Sequence, residues 1–104
     1  MTKIIVDPLG NSIAIPLQLL DVNEELFQSK DVYDNFTAII EKPAMLFKMQ
    51  NGTVELYYLR AIGWNKTVLL GVHKRDGHYE AFNFELDPTS ERLQELHLKG
   101  ERLI

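Results

Sequence analysis

Three turn signals divide residues 44–86 into four short runs, and they constrain the fold more than any other feature. The signals are "NG" at 51–52, "GWNK" at 63–66 and "DG" at 76–77. Turns of the "NG" and "DG" type join neighbouring antiparallel strands. The runs between them are rich in apolar and aromatic residues at strand-like spacing. The sequence therefore predicts a four-stranded antiparallel meander over 44–86.

The residues on either side predict a small hairpin and helices. "KIIV" (3–6) and "SIAI" (12–15) flank a turn that contains proline and glycine, so they are predicted to pair. Pro16 can open a helix. A clearer second helix ends before Pro43, with its apolar face on Val32, Phe36, Ile39 and Ile40.

A short final helix is predicted over about 89–98, capped by Asp87 or Thr89 and ended by Gly100. The predicted fold class is thus α+β, as one domain over 1–104. It has an N-terminal hairpin, one or two helices packed on the four-stranded antiparallel meander, and a short C-terminal helix.

The composition restricts the kinds of binding partner and the cellular compartment that we expect. The formal net charge is −4, and eleven Lys and Arg are dispersed among fifteen acids. This argues against tight, non-specific binding to phosphate backbones, and leaves a transient RNA substrate or a basic protein partner as alternatives. There is no cysteine, and no run of about 18 apolar residues that could span a bilayer. We expect a cytoplasmic protein without a membrane segment; a homo-oligomer remains open.

The "DG" turn predicts one pair of facing side chains. A two-residue turn fixes the register of its strands, which places Arg75 opposite His78. Two residues further from the turn, His73 then lies opposite Glu80. By the same register Gly71 lies opposite Phe82.

The "GWNK" loop extends the prediction to the neighbouring strand. If it closes with Ile62 opposite Thr67, Tyr58 lies opposite Gly71. Side chains alternate across a strand, so the predicted shared face holds Tyr58, Arg60, His73, Glu80 and Phe82. The other face is more apolar and is expected to receive the helix; it holds Tyr57, Leu59, Ala61, Val68, Leu70 and Val72.

This cluster predicts one candidate site. A His–carboxylate pair can act as a general acid–base couple, so we assign catalytic roles to His73 and Glu80. Arg60 adds positive charge for an anion, and Gly71 leaves room for a substrate beside Tyr58 and Phe82. The alternative is ordinary surface pairing, because opposite charges across strands are common on solvated sheets. His78 and His97 are expected to be exposed, and no metal or other cofactor is predicted.

A resemblance adds to this interpretation. The stretches "IIVDPLGNSIAIP", "AIIEKPAMLF", "ELYYLRAI" and "YEAFNF" resemble the phage-associated nuclease-like domains of the barnase–colicin–RelE (BECR) superfamily. The resemblance implies a ribonuclease fold and matches Arg60 to an arginine on the middle strand. Glu80 stands where that pattern favours threonine, and "LLDVNEELFQSKDVYDNF" lacks the usual histidine.

Three functions remain open from the sequence. The first is a BECR-type ribonuclease domain whose activity is altered or lost. The second is an acidic protein-interaction module, similar to a partner or immunity protein, that holds a basic protein without enzymatic activity. The third is a small-ligand binder that uses the open face of the sheet.

Overall fold

Strands dominate the part of the chain that the structure describes. The computed structural model describes residues 2–16, 19, 37–61 and 66–104. The strands are β1 (Thr2–Val6), β2 (Ser12–Pro16), β3 (Met45–Asn51), β4 (Thr53–Ala61), β5 (Thr67–Arg75), β6 (His78–Leu86) and β7 (Glu101–Arg102). Helix α1 is described over residues 37–41, and α2 spans Ser90–Lys99.

These strands form one mixed sheet, which corrects the predicted fold class. The order is β1-β2-β6-β5-β4-β3-β7, and the β2–β6 pair is parallel. The α+β prediction of helices on a four-stranded antiparallel meander is therefore wrong, because the sheet has seven strands within the described residues. The physical reason is that an isolated meander leaves backbone groups unpaired at both edges. The N-terminal hairpin pairs with β6, and β7 pairs with β3.

The meander itself forms inside this larger sheet. Strands β3 to β6 are consecutive and antiparallel. At the "DG" turn both Asp76 and Gly77 have positive φ, at 52° and 84°. A type I′ turn requires positive φ at both central residues, so the backbone agrees with that turn type.

Helix α2 forms where its capping residues predict it. The side chain of Thr89 accepts a hydrogen bond from the backbone N–H of Arg92, and Gly100 follows the last turn. The side chain of Leu96 is fully buried. No helix in the described ranges has the length and apolar character needed to cross a membrane.

Each face of the sheet has its own apolar cluster. We call the face that carries Leu70 and Val72 the covered face; Ile39 and Ile40 of α1 and residues of β1 and β2 belong to its cluster. On the opposite face, Leu96 of α2 packs with Phe47, Tyr57 and Leu69. Leu70 and Val72 belong to the same apolar cluster as Ile39 and Ile40, as predicted. Tyr57 and Leu59, which the sequence predicted for this face, belong to the cluster on the opposite face. The predictions for the first helix, and for Val32 and Phe36, lie outside the described residues.

Candidate functional site

The register between β4 and β5 separates the predicted site residues. Ala61 pairs with Thr67, where the sequence predicted Ile62. Tyr58 therefore lies opposite Leu70 instead of Gly71, and Arg60 lies opposite Val68. A shift of one residue moves every side chain of a strand to the other face. The prediction that Tyr58 and Arg60 share a face with His73 and Glu80 is wrong.

Tyr58, which the sequence predicted as a substrate contact, is a core residue in the structure. Its side chain is fully buried on the covered face, and its hydroxyl donates a hydrogen bond of 2.6 Å to Oδ2 of Asp7. Burial, and then this bond to Asp7, raise the pKa of Tyr58 well above its ordinary value of 10.0. Tyr58 therefore acts as a fixed donor inside the protein.

The "DPLGN" motif is more than a surface turn, because the side chain of its first residue, Asp7, is buried. Only 4% of its surface is exposed. Its Oδ1 accepts from the backbone N–H groups of Leu9 and Asn11, and its Oδ2 accepts from the Asn11 side chain and from Tyr58. A buried carboxylate needs such partners. Asp7 thus ties the N-terminal hairpin to the centre of the sheet.

Arg60 also lies on the covered face. Its Nη1 donates to the backbone carbonyl of Lys42, just after α1. Its Nε is buried and has no hydrogen-bond partner among the described residues. The guanidinium is therefore engaged at the end of α1, on the far side of the sheet from His73.

His73 and Glu80 remain together. They are directly paired between β5 and β6, as the turn predicted, and both are half-buried. On its other side, His73 pairs with Glu55 of β4. The imidazole thus lies in a row between two carboxylate-bearing positions. Nε2 of His78 lies 4.0 Å from Oε2 of Glu80, so this carboxylate has two histidine neighbours.

A β-bulge brings Phe82 onto the same face. Val72 pairs with Ala81 but Gly71 pairs with Asn83, so Phe82 is the extra residue. Bulges redirect a side chain in this way. The Phe82 ring stacks on His73, with centroids 4.8 Å apart and planes 13° apart. It is 40% exposed.

Gly71 does not leave the open space that the sequence suggested. A Cβ atom at this position would lie 3.1 Å from the Tyr57 ring and 3.3 Å from the Phe82 ring. An alanine here would require one of the two aromatic rings to shift by a few tenths of an ångström, because both rings lie close over the backbone. The open space lies one strand further, on the other side of His73 and Glu80.

A groove of about 300 Å³ occupies that position. Its lining residues come from β2, β5 and β6, with Leu19, three residues after β2; they are Pro16, Leu19, His73, Arg75, Glu80, Ala81 and Phe82. Arg75 is exposed and supplies the positive charge that the sequence assigned to Arg60. The groove therefore combines an imidazole, a carboxylate, a guanidinium and an exposed aromatic ring.

A second polar network lies beside the groove and was missed from the sequence. The hydroxyl of Tyr57 donates to Glu55, and the Arg92 guanidinium lies 5.0 Å from the centre of the Tyr57 ring. Arg92 Nε donates to Glu85 at 3.1 Å. Burial, and then the bond to Glu55, raise the pKa of Tyr57, while Arg92 opposes that rise. This network fixes α2 on the sheet and holds Glu55 near His73.

The remaining histidines lie outside the groove lining. His78 and His97 are exposed, as predicted, and the His97 ring meets Phe47 edge-on at 4.9 Å. Across the described ranges, no group of three or more His, Asp or Glu side chains is placed to hold a metal ion.

Comparisons with known proteins add no information about this site, so its interpretation rests on its own chemistry. No protein-family model matches the chain, and no match was found among curated proteins or solved structures.

Proposed function

We propose that the protein is a BECR-type ribonuclease-like domain in which RNA cleavage has been lost and the groove at His73 is kept for binding. One observation carries this proposal. Arg60, which the resemblance matches to the nuclease arginine, lies on the opposite face of the sheet and binds the carbonyl of Lys42.

The chemistry of metal-independent RNA cleavage explains why this position matters. The reaction needs a base for the 2′-hydroxyl, an acid for the leaving oxygen, and a positive charge beside the phosphorane. His73 and Glu80 are suited to the two proton transfers. Among the described residues that line the groove, Arg75 is the only arginine, and it is exposed at the end of β5. An exposed charge stabilises an anion weakly, because water screens it.

The charge of the chain supports the same conclusion. The net charge is −4, and in the row across the sheet His73 lies between two carboxylate-bearing residues, Glu55 of β4 and Glu80 of β6. An RNA backbone approaching this row meets repulsion as well as the attraction of Arg75. Cleavage of a polyanion is therefore disfavoured at the binding step too.

A labelled RNA oligonucleotide at low salt tests the proposal. We expect wild-type protein at high concentration to cleave no more than the His73→Ala variant does. The His97→Ala variant is the matched control, since it removes an exposed histidine outside the groove. Cleavage by wild type and by His97→Ala that disappears in His73→Ala and in Arg75→Ala would show an active nuclease and contradict the proposed loss.

A basic protein partner is the second candidate, and the groove favours it for a specific reason. The Phe82 ring is 40% exposed, and Glu80 lies beside it on the same strand. A lysine or arginine side chain can place its stem against the ring and its charge against the carboxylate.

Fluorescence anisotropy with a labelled basic peptide tests this candidate. Binding should weaken in Glu80→Gln and in Phe82→Ala. It should remain in Glu101→Gln, which removes a surface carboxylate on β7, at the far edge of the sheet. Equal weakening in all three variants would indicate attraction by net charge alone.

A further inference from the structure

The outer edge of β1 is an unpaired strand edge in the described structure. β1 is the first strand in the sheet order, and it pairs with β2 alone among the described strands. Asp7 donates its backbone N–H to the carbonyl of Asn11, which identifies Asp7 and Asn11 as a hydrogen-bonded pair. Hydrogen-bonded and non-bonded pairs alternate along an antiparallel ladder. The amides and carbonyls of Ile4 and Val6 therefore point away from β2, towards solvent.

The side chains at this edge are apolar and exposed. Ile4 is 58% exposed and Val6 is 53% exposed, and they alternate with Ile5, which is buried at 3%. Long, apolar edge strands are usually protected by proline, charges or bulges, because they pair readily with other strands. β1 has no proline, and its single charged residue is Lys3.

The other edge of the sheet is protected in the expected way. β7 has only two residues, Glu101 and Arg102, and both are charged and exposed. A two-residue edge offers few backbone groups to a partner. The difference between the edges makes β1 the position where a further strand can be added.

We propose that two copies of this chain associate through antiparallel pairing of their β1 strands. With Ile4 of one copy opposite Ile4 of the other, Val6 lies opposite Thr2, and the outward amides of all three residues find partners. This register exchanges about six backbone hydrogen bonds across the two-fold axis.

Charge also fits a second copy. In this register Lys3 of one copy lies across from Ile5 of the other, so the two lysines do not face each other. Asp7, the residue that directly follows β1 in the sequence, is buried and hydrogen-bonded. The pairing strands thus bring no like charges together, although the whole chain is acidic. An interface of one strand is small, so the association depends strongly on protein concentration.

Light scattering and amide hydrogen exchange, each over a concentration series, test the proposal. We expect the mass to rise from one chain towards two. We also expect exchange at Ile4 and Val6 to slow as the concentration rises, while exchange at Lys3 and Ile5 stays constant. The second measurement separates edge pairing from any other kind of association.

Two variants and a control complete the experiment. Ile4→Pro removes one outward N–H, which an edge strand tolerates, and should keep the protein monomeric. Ile4→Lys places two lysines opposite each other and should do the same, which covers the case in which proline prevents folding. Leu9→Lys changes an apolar residue that is 52% exposed in the turn, outside β1, and should still dimerise.

Three results on the oligomeric state would overturn the proposal. These are a mass of one chain at millimolar concentration, a dimer that survives in Ile4→Lys, and a dimer that Leu9→Lys disrupts as strongly as Ile4→Lys does. Concentration-independent exchange at Ile4 and Val6 in a confirmed dimer would place the interface elsewhere and would also reject the edge pairing.

Discussion

Neighbouring residues of the same strand have different surroundings and hydrogen-bond partners on the two faces of the sheet. On β4, Tyr58 points into the covered face and donates to the buried carboxylate of Asp7. Tyr57, one residue earlier, lies on the other face beside Phe82 and under Arg92. Both tyrosines are buried, but only Tyr58 is bonded to a buried acid. The covered face therefore holds its polar groups in buried hydrogen bonds, while the other face keeps His73 and Glu80 partly exposed.

On the covered face, internal hydrogen bonds also engage two residues to which the sequence had assigned a functional role. Arg60 and Tyr58 match the chemistry of an anion site, yet their partners are Lys42 and Asp7. On the other face, His73 and Glu80 keep partial exposure at the groove. A polar residue type in a strand therefore says little about function until its face is known.

The largest expected effect tests the core of the covered face. Leu70 is fully buried there, so Leu70→Ala should lower the free energy of unfolding by about 2–5 kcal/mol. Leu98→Ala is the matched control, because Leu98 is 84% exposed on α2, and it should change stability by less than about 0.5 kcal/mol. Urea unfolding measures both; a loss at Leu70 as small as at Leu98 would contradict this core.

The second-largest effect is expected for the buried polar pair of Asp7 and Tyr58 on the same face. Asp7→Ala leaves the buried Tyr58 hydroxyl without an acceptor, which should cost about 1–3 kcal/mol. The further change Tyr58→Phe removes the orphaned hydroxyl, so the double variant should lose less than the sum of the two single variants. Additive losses in urea unfolding would show that the two side chains are not coupled.

High pH should weaken the covered face through Tyr58. Its pKa is raised in the folded state, mainly by burial, so the folded protein holds this proton when the unfolded chain loses it. Stability is therefore fully present below the unfolded pKa of about 10 and falls as the pH rises above it.

Urea unfolding between about pH 8 and pH 11 measures this decline. Tyr58→Phe should flatten it, and Leu98→Ala, at an exposed residue of α2, should leave the slope unchanged. Equal slopes in wild type and Tyr58→Phe would assign the pH dependence to other groups.

The smallest stability effect belongs to the groove. A cross-strand pair on a partly solvated face contributes about 0.2–1 kcal/mol, so His73→Ala and Glu80→Gln should each remain within that range. Their effect should appear in binding instead. A loss from His73→Ala as large as that from Leu70→Ala would identify His73 as a structural residue and weaken the comparison between the faces.

The local parts of this structure could be read from the sequence. The "DG" turn needs only two residues to fix its register, so it determined that His73 faces Glu80. The capping residue Thr89 and Gly100 likewise predicted α2, because capping depends on neighbouring backbone groups. The apolar alternation of β5 indicated correctly that Leu70 and Val72 lie in the core.

Tertiary structure decided the rest of the site. The connection between Ala61 and Thr67 is too long for its residues to set a register, and packing against α1 and the N-terminal hairpin selects the one that buries Tyr58. The parallel pairing of Ala14 with Glu80 joins residues far apart in the chain, so no local pattern predicts it. The bulge at Phe82 is likewise decided by how the strands pack together in the whole sheet. Each is a long-range choice between pairings that are locally equivalent, and only the packing of the whole sheet distinguishes them.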